Sequence, residues 1–252
     1  MTTRETGTVR TATSIILLYH RIGMPRPSSL VWGQYVAPPL FRSQLGCLAA
    51  EGWEGISLER AITGPSDGRN TFALTFDDAY LSVYEHAFPV LVERGLTATL
   101  YVVVDSVGTV NQWDCQRGDC VERIMTLGQI REMADRGFEI GSHTLSHPHL
   151  TGLDDDRLRR ELVDSKHRLE DLLGREVSSL SYPYGDHDQR VIEAARAAGY
   201  RNAVSTVLGT VAAARSTYEI PRINVRWNAI GPLLKRKIRR AVRKTMVVPC
   251  QP

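Results

Sequence analysis

The chain of 252 residues contains no apolar run long enough to cross a membrane. Its polar start includes Arg4, Glu5 and Arg10, and the first apolar run covers only Ile15 to Tyr19. That run is too short for the hydrophobic region of a secretory signal. We therefore predict a flexible N-terminus at residues 1–13 and a cytoplasmic location.

Cysteine is scarce, with four residues in the whole chain. Cys115 and Cys120 lie close together, whereas Cys47 and Cys250 lie far from them. Two neighbouring thiols do not complete a zinc site, and a disulfide between them requires an oxidising compartment. We predict that these cysteines are mostly structural residues or free thiols.

The chain also lacks internal repeats, low-complexity segments and the usual nucleic-acid-binding modules. We therefore predict one main domain and no nucleic-acid partner. Apolar strands alternate with amphipathic helices, as in an α/β barrel. Strands are predicted at 14–20, 71–77, 97–104, 138–142, 178–182, 202–205 and 219–225. Helices are predicted at 39–52, 81–94, 126–136, 154–173, 187–199 and 229–246.

Two adjacent carboxylates, Asp77 and Asp78, follow the strand predicted at 71–77. Adjacent carboxylates repel each other, and a bound divalent cation would offset that repulsion. One of them would then bind the cation while the other accepts a proton from a water molecule. A solvated turn or a helix N-cap would also account for an Asp-Asp pair.

Two histidines, His143 and His147, follow the strand predicted at 138–142. Their i, i+4 spacing would bring them to one face if the backbone turned helically. Neutral imidazole is a common zinc ligand, and two His with one carboxylate leave a coordination position open, as in catalytic sites. Either His alone would more often be an ordinary surface or core residue, but together with the Asp pair they favour a metal centre.

A third segment, Tyr182-Pro183-Tyr184-Gly185, ends another short apolar run. Its Pro and Gly could direct a backbone N–H into a cleft, where it would stabilise an oxyanion. By itself the segment is equally typical of an ordinary turn.

The order Thr-Phe-Asp-Asp, Ser-His-Thr-x-x-His and Tyr-Pro-Tyr-Gly resembles that of the polysaccharide deacetylases, the NodB-like carbohydrate esterases. The resemblance spans about Ser14 to Val225. It implies a distorted (β/α) barrel of about seven parallel strands, which we place at residues 14–228. It also implies Asp77 as general base, a metal bound by Asp78, His143 and His147, an oxyanion donor at the Tyr184 N–H, and substrate contacts from Pro183 and Tyr184.

The chain departs from the family pattern at Ser181, where many relatives have an arginine that orients the base. We predict that Arg222, at the end of another strand, pairs with Asp77 or contacts substrate. The histidine that protonates the leaving amine in many relatives is also absent, because no His follows His187. His20, in the segment Leu-Tyr-His-Arg-Ile, is the best alternative acid, although it could equally cap a barrel strand.

The segment from Val104 to Thr126 has no helical period and is predicted to be an insertion loop that forms a substrate wall. Trp113 in this loop and Trp227 near the C-terminus could stack on a sugar ring. Aromatic residues in loops are at least as often packing residues.

Basic residues concentrate in the C-terminal segment 229–252, which is predicted to form an amphipathic helix and a tail. Such a helix could pack its apolar face on the barrel and leave its basic face in solvent. It could also contact an anionic partner, either a membrane surface or the diphosphate of a lipid-linked or nucleotide sugar. Peripheral membrane contact is therefore a second expectation for this protein.

Together these features predict a metal-dependent deacetylase that releases acetate from an N-acetylated sugar, glycolipid or sugar-containing metabolite. Zn²⁺ is the expected cofactor, with Co²⁺, Ni²⁺ or Mn²⁺ as alternatives. Two other functions stay open. One is hydrolysis of a different C–N bond, such as a cyclic imide or ureide, on the same barrel. The other is glycan binding or membrane association with little catalysis.

Overall fold

A curved parallel sheet forms the centre of the protein in a computed structural model that describes residues 12–64 and 68–246. The predicted N-terminal segment therefore lies largely outside the described residues, as do Cys250 and the rest of the tail. The strands, numbered in chain order, are β1 Ser14–Tyr19, β2 Arg21–Ile22, β3 Tyr35–Val36, β4 Glu54–Gly55, β5 Thr71–Phe76, β6 Thr99–Val102, β7 Glu139–Ser142, β8 Ser179–Ser181, β9 Asn202–Val204 and β10 Ile223–Asn224.

Seven parallel strands form the main sheet in the order β10-β1-β5-β6-β7-β8-β9, and the short β4 pairs with the start of β5. A parallel bridge between Val204 and Ile220 links β9 to the segment that precedes β10. The α/β barrel of about seven parallel strands is thereby confirmed. Strand β1 is buried along its whole length, as expected for a parallel strand that is covered on both faces.

Helices follow most of the strands and cover the outside of the sheet. They are α1 Pro38–Ala50, α2 Leu58–Thr63, α3 Leu81–His86, α4 Phe88–Glu93, α5 Gln112–Cys115, α6 Leu127–Asp135, α7 Asp155–Leu173, α8 Gln189–Ala197 and α9 Gly231–Met246. In the described part of the chain, no helix is both long enough and apolar enough to span a bilayer.

Proline accounts for two differences from the predicted elements. The single helix predicted at 81–94 is wrong, because the chain forms α3 and α4 with a break at Ala87. Pro89 has no N–H to continue the helical hydrogen bonds across this point. The strand predicted at 219–225 is shortened to β10 in the same way, since Pro221 cannot donate a ladder hydrogen bond.

Helix α9 packs on the barrel through its apolar face. Leu234, Ile238 and Ala241 are buried in the main core cluster, whereas Ile230 and Leu233 stay exposed. The packing interpretation of the amphipathic helix therefore holds for its central turns. Cys47, Cys115 and Cys120 are free thiols, in agreement with the prediction.

Candidate metal centre and active site

A cavity of about 470 Å³ opens at the carboxyl end of the sheet. Each of the seven main strands, or the loop that follows it, contributes residues to its wall, which is the usual position of an active site in a barrel enzyme. The lining residues are His20, Gln34, Asp77, Asp78, Trp113, Asp114, His143, His147, Tyr184, Thr206, Leu208, Arg222, Asn224, Arg226 and Lys237.

Asp78, His143 and His147 form the candidate metal centre. One ligand atom from each residue lies within 4.8 Å of the other two, and all three residues are buried. The Nε2 atoms of both histidines lie 3.4 Å from Asp78 Oδ1. The structure thus brings together the three residues that the sequence predicted as ligands.

The chemistry of this triad fits a divalent cation. His143 Nδ1 lies 2.7 Å from the Ser181 carbonyl oxygen, so Nδ1 carries the proton and Nε2 presents its lone pair to the centre. Burial lowers the pKa of both histidines, which favours the neutral, metal-binding form. Asp78 Oδ1 is buried and has no hydrogen-bond partner among the described residues, and a cation would satisfy it.

The two histidines meet through a bend rather than through the helical turn considered from their spacing. Thr144 and His147 have φ angles of 68° and 65°, in the left-handed region. His147 N donates to Thr144 Oγ1 at 3.1 Å, and Glu161 on α7 accepts from Leu145 N at 2.9 Å. These contacts hold the bend in place and bring the two imidazole centroids to 4.8 Å.

Left-handed backbone conformations of non-glycine residues concentrate at this site. Among the described residues they occur at Asp78, Ala79, Thr144, His147 and Tyr184. Such conformations cost about 1 kcal/mol or more each and persist where surrounding contacts enforce them. The backbone is therefore strained around the triad and around the predicted oxyanion donor.

Asp77 forms a buried bidentate ion pair with Arg222. Arg222 Nη1 and Nη2 donate to Asp77 Oδ1 and Oδ2, both at 2.7 Å, and Arg222 is fully buried. Ser181 Oγ donates to Asp77 Oδ2 at 3.1 Å and accepts from Arg222 Nη2 at 2.9 Å. The structure therefore places Arg222 against the carboxylate with which the sequence predicted it to pair.

The adjacent carboxylates have opposite electrostatic environments. Burial alone would raise the pKa of Asp77, but the Arg222 guanidinium, with His143 nearby, holds it below its usual range. Burial raises the pKa of Asp78 well above its usual value, and the negative charges of Asp77 and Asp114 raise it further. Asp77 is thus ionised on its own, whereas Asp78 becomes a carboxylate readily only when a cation offsets its charge.

His20 lies in the cavity wall directly after β1. Burial lowers the pKa of its imidazole to about 3, despite the opposing effect of Asp77. The neutral imidazole can still donate one hydrogen bond, and no described residue forms a hydrogen bond with its buried Nδ1. Its role as the acid stays a prediction, which requires a rise in this pKa once substrate is bound.

Pro183 and Tyr184 form a tight turn after β8, with Tyr184 at φ 60°. The Tyr184 ring lies against His147 at 4.5 Å and stacks on His149 at 4.1 Å between ring centroids. The following Gly185 has φ 75°, and a Cβ there would overlap the Thr206 side chain. This turn requires glycine at position 185, and Tyr184 is among the residues that line the cavity.

The two tryptophans predicted to contact substrate differ in position. Trp113 lines the cavity, but it is mostly buried, with its ring 4.8 Å from that of His147. Trp227 is 46% exposed and pairs with Trp32 at 4.7 Å, outside the set of residues that lines the cavity. The structure therefore brings Trp113, and not Trp227, to the metal centre.

Sequence reasoning did not identify a second buried ion pair in this region. Arg21 Nη2 donates to Asp114 Oδ2 at 2.6 Å and to the Tyr80 hydroxyl at 2.5 Å. Asp114 follows Trp113 in the predicted insertion loop and lines the cavity. A signal was present, because an arginine within the apolar segment after β1 needs a carboxylate partner if it is buried.

The fold and this site define a hydrolase of the α/β-barrel class with a candidate metal centre at the carboxyl end of its strands. Residues 64–203 match the family model of polysaccharide deacetylases, which covers more than half of the described chain. The chain belongs to the polysaccharide deacetylase family. It is thus a deacetylase, a hydrolase of carbon–nitrogen bonds other than peptide bonds.

Individual relatives agree with this assignment. A putative polysaccharide deacetylase of Bacillus subtilis, YxkH, is 31% identical over 60% of this chain, and the match covers half of that relative's length. The poly-β-1,6-N-acetyl-D-glucosamine N-deacetylase of Staphylococcus epidermidis is 25% identical over 88% of this chain and 82% of its own length. The solved deacetylase PplD of Streptococcus pyogenes, in complex with acetate, is 27% identical with a TM-score of 0.76, covering 90% of this chain and 98% of its own.

Proposed function

We propose that the protein hydrolyses the acetamido group of an amino sugar or glycoconjugate to a free amine and acetate. The observation that carries this proposal is the position of the Asp77–Arg222 ion pair beside the triad of Asp78, His143 and His147 in one cavity. It supplies an ionised base next to a cation site, and metal-assisted amide hydrolysis uses this pair of groups.

The residues of the chain divide the proton transfers among them. Asp77 accepts a proton from the attacking water, while Arg222 and Ser181 keep its carboxylate oriented. The Tyr184 N–H donates a hydrogen bond to the oxygen that becomes negatively charged when water adds to the carbonyl carbon. The C–N bond then breaks, and the nitrogen takes a proton from His20 or from Asp77.

The contact with Arg222 makes Asp77 a weaker base, because a carboxylate with a lowered pKa binds a proton weakly. A divalent cation held by Asp78, His143 and His147 would supply Lewis acidity, which makes both the carbonyl carbon and the water more reactive. We assign zinc to this site, with cobalt, nickel or manganese as substitutes, because two imidazoles and one carboxylate suit these ions.

The acetamido sugar is favoured over a cyclic imide or ureide because a named relative acts on poly-N-acetylglucosamine. Two departures from the family pattern, a missing arginine and a missing histidine, favour a binding protein with little catalysis. The bidentate contact of Arg222 with Asp77 supports an orienting role for this arginine and weakens the first of these reasons.

Metal removal gives the direct test of this function. Acetate release from N-acetylated sugars, free, nucleotide-linked and lipid-linked, is expected to stop after chelation and to return when zinc or cobalt is added. A protein that binds metal but releases acetate from none of these sugars would favour another C–N substrate. A protein that binds no metal would contradict the proposal.

We also propose peripheral contact with an anionic membrane. Support comes from the exposed basic residues of α9, including Arg243 and Lys244, and from the exposed pair of Trp32 and Trp227. Co-sedimentation is expected with phosphatidylglycerol vesicles and not with phosphatidylcholine vesicles. Replacing Arg243 and Lys244 by Gln should weaken it by roughly 30-fold, because each basic residue contributes about 1 kcal/mol near such a surface.

Equal binding to both vesicle types would count against this contact. Binding to neither type would also count against it. A cytoplasmic location stays a prediction, which cell fractionation checks.

A further inference from the structure

Two cationic side chains, Arg226 and Lys237, line the cavity that holds the catalytic groups. Arg226 follows β10, and Lys237 lies in the second turn of α9. Within the part of the chain that the structure describes, neither of them forms an ion pair with a carboxylate. The cavity wall therefore carries two positive charges, and no described acidic residue forms an ion pair with either of them.

The carboxylates of the cavity do not account for these cations, because each already has a positive partner or a cation site. Asp77 is paired with Arg222, and Asp114 is paired with Arg21. Asp78 belongs to the candidate metal centre. A divalent cation at that centre would increase the excess of positive charge in the cavity.

Lys237 is held in an unfavourable environment. It is half-buried, and its ammonium group donates to the backbone carbonyl oxygen of Asn224, which fixes its position. Burial and the nearby positive charges of Arg226 and Arg240 lower its pKa. A bound anion would offset the repulsion from these positive charges and would stabilise the ammonium form of Lys237.

The side chain of Asn224 adds a second unsatisfied group at the same place. Its Oδ1 atom is buried and has no hydrogen-bond partner in the described part of the chain, although the residue lines the cavity. A buried polar atom without a partner costs about 1–3 kcal/mol, so such atoms usually meet a ligand or water. A sugar hydroxyl would supply the missing donor.

We infer that Arg226 and Lys237 form an anion subsite for a phosphate group attached to the acetamido sugar, and that Asn224 Oδ1 beside them accepts from a hydroxyl of that sugar. A phosphate ester carries a charge of about −1 to −2 and several acceptor oxygens, which suits two converging cations better than a single carboxylate does. This inference rests on the proposed function, since it names the substrate class of the same cavity. The phosphate could come from a sugar 1-phosphate, a nucleoside diphosphate sugar or a lipid-linked diphosphate sugar.

Kinetics on matched substrates test the subsite. N-acetylglucosamine 1-phosphate, its uridine diphosphate form and its polyprenyl diphosphate form are compared with the neutral methyl glycoside. Lys237→Met is expected to raise KM for the phosphorylated substrates by about 10-fold or more, because a charge-assisted hydrogen bond is worth about 1.5–3 kcal/mol. KM for the neutral glycoside should rise by much less than KM for the phosphorylated substrates, and the preferred phosphorylated form identifies the source of the phosphate.

Lys244→Met is the matched control, because Lys244 is exposed on the same helix and does not line the cavity. It removes the same charge from α9 and should leave KM unchanged for the water-soluble substrates, which are the sugar 1-phosphate, its uridine diphosphate form and the methyl glycoside. Equal effects of the two lysine variants would overturn the subsite, as would equal KM values of the wild-type protein for phosphorylated and neutral substrates.

A binding measurement separates this inference from the proposed function. Calorimetry with inorganic pyrophosphate and metal-free protein should show binding that Lys237→Met weakens and Lys244→Met does not. If pyrophosphate binds in this way but no sugar is deacetylated, the subsite stands and the proposed function fails. If neutral sugars are deacetylated and pyrophosphate does not bind, the proposed function stands and the anion subsite fails.

Discussion

Asp77→Asn is expected to lower kcat by about 10²- to 10⁴-fold while the protein keeps its metal. An amide cannot accept the proton of the attacking water, and loss of a general base costs about this much. Asp78, His143 and His147 are unchanged in the variant. Removing the negative charge of Asp77 also removes one cause of the raised pKa of Asp78, which favours metal binding.

Asp78→Asn, in contrast, is expected to lose its metal as well as its turnover. A neutral amide replaces the only carboxylate of the triad, so the metal affinity should fall by more than the ~10- to 100-fold typical of outer-shell changes. Metal content by mass spectrometry and acetate release, measured on both variants, assign separate roles to the two adjacent residues.

Folding must be controlled in this comparison, because Asp77→Asn leaves the buried Arg222 without its counter-charge. The thermal midpoint and the circular dichroism spectrum of each variant show whether it is folded under assay conditions. The assignment of the two roles is wrong if Asp78→Asn retains both metal and activity, or if folded Asp77→Asn retains wild-type turnover.

The sequence was sufficient for the sheet and for the identity of the candidate ligands, because both depend on local pattern. Strands β1 and β5 are mostly apolar and buried along their whole length, and a parallel sheet collects their carboxyl ends at one edge. Polar residues just after such strands therefore lie near one another.

Most of the contacts that could not be predicted from the sequence lie in the loops. The bend from His143 to His147 depends on left-handed residues and on Glu161, which is far from both histidines in the chain. Arg21 and Asp114 are 93 residues apart, and nothing local indicates that they pair. Such contacts follow from the packing of several segments rather than from the pattern within one.

The pairing of Arg222 with Asp77 is an exception, since it spans 145 residues and was nevertheless anticipated. The resemblance to the family implies an arginine at the position of Ser181, and its replacement by serine predicts that another residue orients the base. Ser181 contributes to the same network through its own hydrogen bond to Asp77. A missing residue in a motif can therefore predict a long-range contact when the chemistry requires a replacement.

Arg222→Ala is expected to cost about 3–5 kcal/mol of folding free energy and to reduce turnover strongly. The variant leaves Asp77 buried without its bidentate partner, and an uncompensated buried charge is costly. Because this loss is a large part of the stability of a typical domain, denaturant unfolding must accompany the assay. Turnover equal to that of the wild type in a folded Arg222→Ala protein would refute the role of this arginine.

Arg222→Lys gives the sharper test, because it keeps a positive charge but loses the two-pronged contact. Burial raises the pKa of Asp77 and Arg222 lowers it, so a weaker partner must raise it. Asp77 then becomes protonated at a higher pH, and the acid limb of kcat/KM against pH moves upward from its position in the wild type.

Ser181→Ala removes a single hydrogen bond to Asp77 and should move the same limb less than Arg222→Lys does. A purely structural arginine would lower the free energy of unfolding without moving the acid limb at all. A graded upward movement, larger for Arg222→Lys than for Ser181→Ala, therefore requires that Arg222 sets the protonation of the base as well as its position.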